Sequence, residues 1–424
     1  MIGGMFILFL VLLLLNVPIA FSLGASSLFY LLTSNMNVAV LAQKFYAGID
    51  SFTLLCIPGF MLAGALMNGG GITRRILNFC NAFLGHFTGS LALVNIVASM
   101  VFAGISGTAI ADVCSLGSML IPAMVEDGYD DDFSVAVTAA SSVVGPIIPP
   151  SVPMVIAGSC VSISVGKMFQ AGIIPGVLLG LALCVPTYII PVKRHYPRHE
   201  RSSWKKRWEV TKDAIWALLM PIIILGGIFG GIFTATEAAA VAVVYALIVS
   251  LFIYKDTKWS ELPSSFVEAS VSTATIMVMV GLSSASSYVI TTSGLPQQLV
   301  SFFSSITNSP VVILLLLNIL FLIIGMLMEA NAAVVMMTPI LLPLLNAFGI
   351  DLLQFGIVMS FNLCIGLVTP PVGLCLLLCN QTGETRLSHS LKAMMPMLLI
   401  SIIVLFLITY VSPLTTLLPS IMAG

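Results

Sequence analysis

Residues 141–153 read SSVVGPIIPPSVP, and residues 362–374 read NLCIGLVTPPVGL. Each is an apolar run interrupted by consecutive prolines, Pro149-Pro150 and Pro370-Pro371. Proline lacks an amide hydrogen and its ring collides with the preceding helical turn, so two in a row unwind a helix locally. The freed carbonyls turn into the protein, where they suit a hard cation such as sodium, while the restarted half-helix presents a partly positive N-terminus to a carboxylate. One broken helix is therefore expected over 133–160 and another over 354–380.

The two segments lie 221 positions apart, and the same shift places Gly104 on Gly325, Pro122 on Pro343, Gly128 on Gly349, Asp130 on Asp351 and Gly145 on Gly366 without a gap. Gly and Pro set backbone geometry, so their joint recurrence marks a duplicated fold. With a two-residue slip the match extends upstream, GGITRRIL at 70–77 against SGLPQQLV at 293–300. There Arg74 and Arg75 give way to Gln297 and Gln298. That exchange is expected when equivalent points lie on opposite faces of a membrane and only one face favours Lys and Arg. The halves, 1–192 and 214–424, are thus read as inverted repeats.

A bilayer is the solvent this composition calls for. Hydrophobic residues make up 59% and charged residues 8%, against roughly 25% charged in soluble domains. No charge occurs from Met1 to Gln43, from Ala269 to Met328, or after Lys392. With about 20 apolar residues needed per span, about ten to twelve crossings or part-crossings are expected. The opening MIGGMFILFLVLLLLNV lacks a basic region and a small-residue cleavage site, and reads as a retained first span. Eight of the 16 Lys and Arg residues crowd a linker at 193–213: Lys193, Arg194, Arg198, Arg201, Lys205, Lys206, Arg207 and Lys212. The positive-inside bias places it in the cytoplasm and, through the inversion, the N-terminus on the periplasmic side. From there Ala214 to Phe233 leads out and Ala238 to Ile253 returns, bringing Lys255 and Lys258 inside.

The same composition sets several functions aside. A net charge of -1 gives no footing for nucleic acid. The eight cysteines have no CxxC spacing and His86, His195, His199 and His389 no metal-ligand spacing, so no transition-metal site is expected. Gly166-Lys167 resembles a P-loop end, but Val161 and Met168 stand where Gly and Ser or Thr belong, and no zinc-protease or nucleophile-elbow motif occurs. Neither ATP use nor enzymatic activity is expected.

GISGTAIAD, residues 104–112, sits inside an apolar stretch over 91–125. Two apolar arms around a small polar centre describe a re-entrant hairpin with Ser106, Gly107 and Thr108 at its tip, since a turn at that depth must be buried in protein or face water. Taken alone, the segment also reads as a continuous helix with a small-residue packing face. Its counterpart GMLMEANAA, 325–333, places Glu329 and Asn331 at the tip of a second hairpin over 311–347. Each tip facing a broken helix predicts a sodium site near mid-membrane. One would draw on Ser106, Thr108, Gly145, Ile148 and Pro150, the other on Gly325, Glu329, Asn331, Gly366 and Thr369. Ionisable groups in spans are costly. Asp112 is open to a structural or a functional reading, Glu237 in FTATEAAA to a capping-box or a functional one, and Glu329 is the strongest functional candidate. EDGYDDD, 126–132, reads as a water-exposed turn.

GISGTAIAD, GYDDDFSVAVTAASSVVGPIIPPS (128–151), GIFTATEAAAVAVVYA (231–246) and GLVTPPVG (366–373) together resemble the large membrane subunit of tripartite ATP-independent periplasmic (TRAP) transporters. The resemblance runs over nearly the whole chain. It implies an all-α polytopic fold of the ion-transporter superfamily: a scaffold plus a transport domain holding two re-entrant hairpins and two broken helices, moving as an elevator. It further implies a bacterial inner membrane, a small four-helix membrane partner (Q-type), and a periplasmic binding protein that delivers the cargo. The expected cargo is a carboxylate, such as a C4-dicarboxylate, sialic acid or another sugar acid, with the overall pattern leaning to the sialic-acid branch. It would meet Ser106, Asp112, Ser151, Glu329 and Asn331. About two sodium ions per monovalent anion would move one net charge inward. The chain departs from the family at Thr108, often Ser, and carries Leu327 and Met328 where the first tip has Ser106 and Gly107. The competing function is a stand-alone sodium/dicarboxylate symporter or exchanger that needs no binding protein.

Overall fold

A helix interrupted by prolines survives in a membrane only if something else covers the break, and that requirement orders the whole molecule. The structure is a computed structural model describing all residues except Met1, Asn16, Gly70, Val372, Ala423 and Gly424. Met1 as the start of the first span, Gly70 of the upstream match, Val372 of the second proline segment and the Gly424 end of the second repeat therefore lie outside the described residues. Among the described residues every regular element is helical. Among the described residues eight helices are long and apolar enough to cross a membrane, or nine counting the pair Ala39–Ile49 and Phe52–Asn68, bent by 58°.

Both Pro-Pro segments break their helices as expected. Asp131–Ser142 is separated from Val152–Val161, and Leu352–Gly366 from Leu374–Thr382. Both Pro-Pro bonds are cis.

Hairpin 1 comprises Ser90–Ser106 and a return arm, Ala109–Glu126, turning at Gly107 and Thr108. Its open ends meet: the Leu91 N–H donates to the Tyr129 hydroxyl at 3.2 Å, and Asn95 Nδ2 to Met124 Sδ at 3.9 Å. The continuous-helix alternative is therefore excluded. Hairpin 2 comprises Pro310–Leu327 and Ala330–Ala347, with the break at Met328 and Glu329. Its return arm runs through a short turn into Asp351, whose neighbour Gln354 donates to the Thr409 carbonyl at 2.8 Å, while Tyr410 donates to the carbonyl of Val311 at 3.3 Å. Entry and exit again lie together.

The inversion is visible in what touches what. The start of the first broken helix lies near its counterpart's end, since a methyl on Gly383 would come within 2.5 Å of Val135 Cγ2. At the other face, a methyl on Gly356, early in the second broken helix, would come within 2.9 Å of Met168 and 3.9 Å of Ala157, late in the first. The two broken helices run antiparallel, and the hairpins open on opposite faces.

The basic linker marks one of these faces. It is irregular only between two helices, Val165–Arg194 and Trp204–Phe229, so its flanking charges belong to helix ends. Arg194 pairs with Asp130 at 2.5 Å and Asp132 at 3.4 Å. The Tyr196 hydroxyl, then Arg194, holds the Asp130 carboxyl below the usual carboxylate range. Arg75 pairs with Asp213 at 3.1 Å and with Asp256, and stacks 3.9 Å from the Tyr254 ring centroid. Arg75, the acidic turn at 126–132 and the linker thus share a face, and such half-exposed pairs contribute about 1 kcal/mol or less each.

Buried polar ladders lock each hairpin to its broken helix. Asn95 donates to Thr138 at 2.6 Å and accepts from Ser141 at 2.9 Å; in the other half Asn362 donates to Asn318 Oδ1 at 2.9 Å and Asn318 to Thr409 at 3.0 Å. In a membrane each such bond contributes about 0.6 to 2 kcal/mol. Backbones come closest at Gly325 and Gly366, where a methyl on Gly366 would lie 2.4 Å from Gly325 Cα. Gly366→Ala must force the second hairpin off its broken helix, at about 1–3 kcal/mol or more. A melting temperature several degrees lower in detergent is expected; an unchanged one would contradict this contact.

Candidate functional site

Gly107 ends the first arm of hairpin 1 at φ +63°, a conformation glycine tolerates and other residues resist. A methyl there would also lie 2.6 Å from the Pro150 carbonyl oxygen, and the Val152 N–H reaches back to the Gly107 carbonyl at 3.5 Å. The tip is therefore seated on the proline break. Thr108 then starts the return arm, its hydroxyl accepting from the Ala111 N–H at 3.3 Å.

Inside this junction Ser106 donates to Asp112 Oδ1 at 2.5 Å. Asp112 is 1% exposed, and its second oxygen, Oδ2, has no hydrogen-bond partner. It lies against Gly145, whose added methyl would meet Oδ2 at 2.7 Å. Ser106, Thr108, Asp112, Gly145 and Pro150 are thus brought together. The Ile148 side chain packs against Gly176 of the helix Val165–Arg194, which leaves its backbone carbonyl as the only group it could offer. Ser151 is turned inward too, donating to the Pro146 carbonyl and accepting from the Met154 N–H at 3.3 Å.

Hairpin 2 solves the same problem with different residues. Glu329 caps its own return arm, accepting from the Ala332 N–H at 3.2 Å and from Asn331 Nδ2 at 2.6 Å, while Asn331 Oδ1 keeps no partner. Gly325 and Gly366 are in backbone contact, and the Thr369 hydroxyl donates to the Ile365 carbonyl at 2.8 Å. The helix start that could receive an anion at tip 1 is, at tip 2, already filled by the protein's own carboxylate.

Between the tips lies a cavity of about 370 Å³, lined by Ser106, Thr108 and Ala109 from one, Glu329, Ala330 and Asn331 from the other, and Pro146, Pro153, Cys364 and Leu367 from the broken helices. Asp112, Ser151 and Thr369 stand behind this wall, outside the lining. Its far side is made by Gly64 and Asn68 of the helix Cys56–Gly69, and by Glu268, Ser272 and Thr275 of the helix Leu262–Thr292. Sequence reasoning missed these residues because they sit on spans without a break or repeat signature. The one available signal was Glu268, the last charge before the uncharged run from Ala269 to Met328. Glu237, for its part, forms the capping box with Thr234 and is exposed.

Two matched hairpins, two matched breaks and a cavity between them describe a membrane carrier, and the comparisons name which. The model of the tripartite ATP-independent periplasmic transporter, DctM component, matches residues 6–414. The chain belongs to this family. It is similar to the sialic acid TRAP transporter large permease protein SiaM of Vibrio cholerae, 40% identical over 96% of each chain. It is equally similar to the C4-dicarboxylate TRAP transporter large permease protein DctM of Pseudomonas aeruginosa, 40% identical over 94% of each. The crystal structure of the Alcanivorax borkumensis YdaH transporter shares the fold, with a TM-score of 0.62, 16% identity and 88% of each chain covered. This TRAP permease is thus a helical membrane transport protein with broken helices and re-entrant hairpins.

Cys114, on the return arm of hairpin 1, is exposed and lines the cavity, whereas Cys56, Cys80, Cys364, Cys375 and Cys379 are buried. Cys114 is expected to be the cysteine that a small maleimide labels fastest in the native protein, and Cys114→Ser to remove that fast phase. A fast phase that survives this substitution would contradict the cavity's accessibility.

Proposed function

We propose that this permease imports a small carboxylate by coupling it to sodium, with a small four-helix membrane subunit and a periplasmic binding protein as partners, in the bacterial inner membrane. The observation that carries the reading is the Asp112 carboxylate, buried, held by one hydroxyl and lacking a partner on Oδ2. A buried carboxyl so poorly compensated either takes up a proton or is completed by a cation, and sodium coupling is the second case. The Pro150 carbonyl and the Thr108 hydroxyl stand at the same junction, and oxygen donors of this kind suit sodium. Asp112 is in this reading a cation ligand rather than a contact of the cargo, which as an anion would be repelled there.

The cargo's carboxylate belongs in the cavity at the start of the return arm of hairpin 1, at Thr108 and Ala109, since the Ser106 hydrogen is committed to Asp112. The second sodium belongs between Asn331, whose Oδ1 has no partner, and the carbonyls around Gly366 and Thr369. Repeats of 1–192 and 214–424 joined by a cytoplasmic linker at 193–213 place the two hairpins on opposite membrane faces, with the N-terminus periplasmic. A hairpin pair and its broken helices sliding as one body along the helices Cys56–Gly69 and Leu262–Thr292 would carry the cavity from one face to the other as an elevator.

With two sodium ions per monovalent anion, transport is electrogenic, the potential contributing about 2.3 kcal/mol per charge per 100 mV. In proteoliposomes holding the permease, its small subunit and the binding protein, uptake is expected to require sodium and to accelerate at an inside-negative potential. Uptake that proceeds equally well in potassium would end this reading. Ser106→Ala removes a hydrogen bond to a charged group, about 1.5–3 kcal/mol, so the half-saturating sodium concentration should rise about tenfold or more. Asp112→Asn should raise it further; unchanged sodium dependence in both variants would remove this junction from the ion path.

A further inference from the structure

The cavity wall is one-sided in charge. Among the described residues that line it there is no Lys, Arg or His, and the only carboxylates are Glu268 and Glu329. Glu329 is committed to capping its own helix and to Asn331. Glu268 differs on every count. It stands across the cavity on the helix Leu262–Thr292, it is exposed, and among the described residues no hydrogen bond or ion pair engages it. It shares the cavity lining with Cys114 on the return arm of hairpin 1.

The geometry gives a cargo two different ends to satisfy. Near the first tip the helix start and the Thr108 hydroxyl favour one carboxylate, the Ser106 hydrogen being committed to Asp112. The opposite wall offers the neutral polar groups of Asn68, Ser272 and Thr275 beside the free negative charge of Glu268. A sphere of about 370 Å³ is about 9 Å across, so every carboxylate on the cargo stands within about one Debye length of Glu268, and a second one adds repulsion that neither a basic residue nor a helix start offsets.

We infer that Glu268 selects against a second negative charge: the cargo is a monocarboxylate whose remaining polar groups are neutral hydroxyls or amides, and dicarboxylates are disfavoured. The inference rests on the reading of this cavity as the carboxylate site. It assigns a specificity-determining role to a residue on the helix facing the hairpins, outside both repeat-matched motifs.

Occupancy can be read without transport, because a ligand in the cavity must shield Cys114. In the permease reconstituted with its small subunit in sodium, labelling by neutral N-ethylmaleimide is followed as gluconate, N-acetylneuraminate or succinate is titrated. Each variant is normalised to its own ligand-free rate, since Glu268 and the thiol line one cavity. In the wild type, gluconate or N-acetylneuraminate should protect at a concentration at least about tenfold below succinate. Glu268→Gln should shrink that ratio to about twofold by improving succinate, while Glu268→Asp, which keeps the charge, should retain it. Glu268 is exposed and unpaired, so neither change should threaten folding. Succinate protecting the wild type as well as the sugar acids would overturn the inference, as would an unchanged ratio in Glu268→Gln. If no carboxylate protects Cys114 in the wild type, the carboxylate-site reading itself fails and this inference with it.

Discussion

Backbone polar groups that lipid cannot hydrogen-bond are the constraint on which this molecule depends. Pro149-Pro150 and Pro370-Pro371 each unwind a helix at depth, and the two hairpins must reverse direction there as well. Each liability covers another. Gly107 of the first tip sits on the Pro150 carbonyl, and Gly325 of the second hairpin presses on Gly366. Because the partners in each pair come from distant points of one half, the hairpin and the broken helix of that half form a unit whose unwound centre is shielded from lipid and open to the cavity.

Duplication supplied two such units, and inversion set them antiparallel, but the chemistry at their centres has diverged. In the first, Asp112 is buried with one unpartnered oxygen, and the return arm starts with its N-terminus facing the cavity. In the second, Glu329 fills the corresponding helix start. Equivalence by position thus does not mean equivalence in ligand. The cavity is bounded at one tip by a helix start capped by a neutral hydroxyl and at the other by one capped by a carboxylate, so its two ends differ in charge.

Much of this was legible beforehand. The shift of 221 positions, the paired prolines and the Arg-to-Gln exchange at 74–75 and 297–298 specified the repeats, their breaks and their inversion, because Gly, Pro and the sidedness of Lys and Arg act through local backbone geometry and the membrane alone. Motif positions likewise found both tips. Several finer assignments came out differently. Ser151 was grouped with the cargo contacts, yet the backbone turn directs its hydroxyl to the Pro146 carbonyl. Asp112 was grouped with the cargo, yet it lies behind the cavity wall.

The sequence by itself determined the membrane, the two inverted halves and the four breaks, since each is written in residues whose backbone or solvation preference is intrinsic, while the family of carriers was legible only as a resemblance of motifs. Only the tertiary structure decided which carboxylates are satisfied internally and which face the cavity. Glu268 lies on an unbroken span more than a hundred residues from the first tip, and nothing local to it distinguishes it from a helix-end charge. It becomes a cavity residue because packing sets the helix Leu262–Thr292 opposite the hairpins, a relation that sequence spacing does not encode.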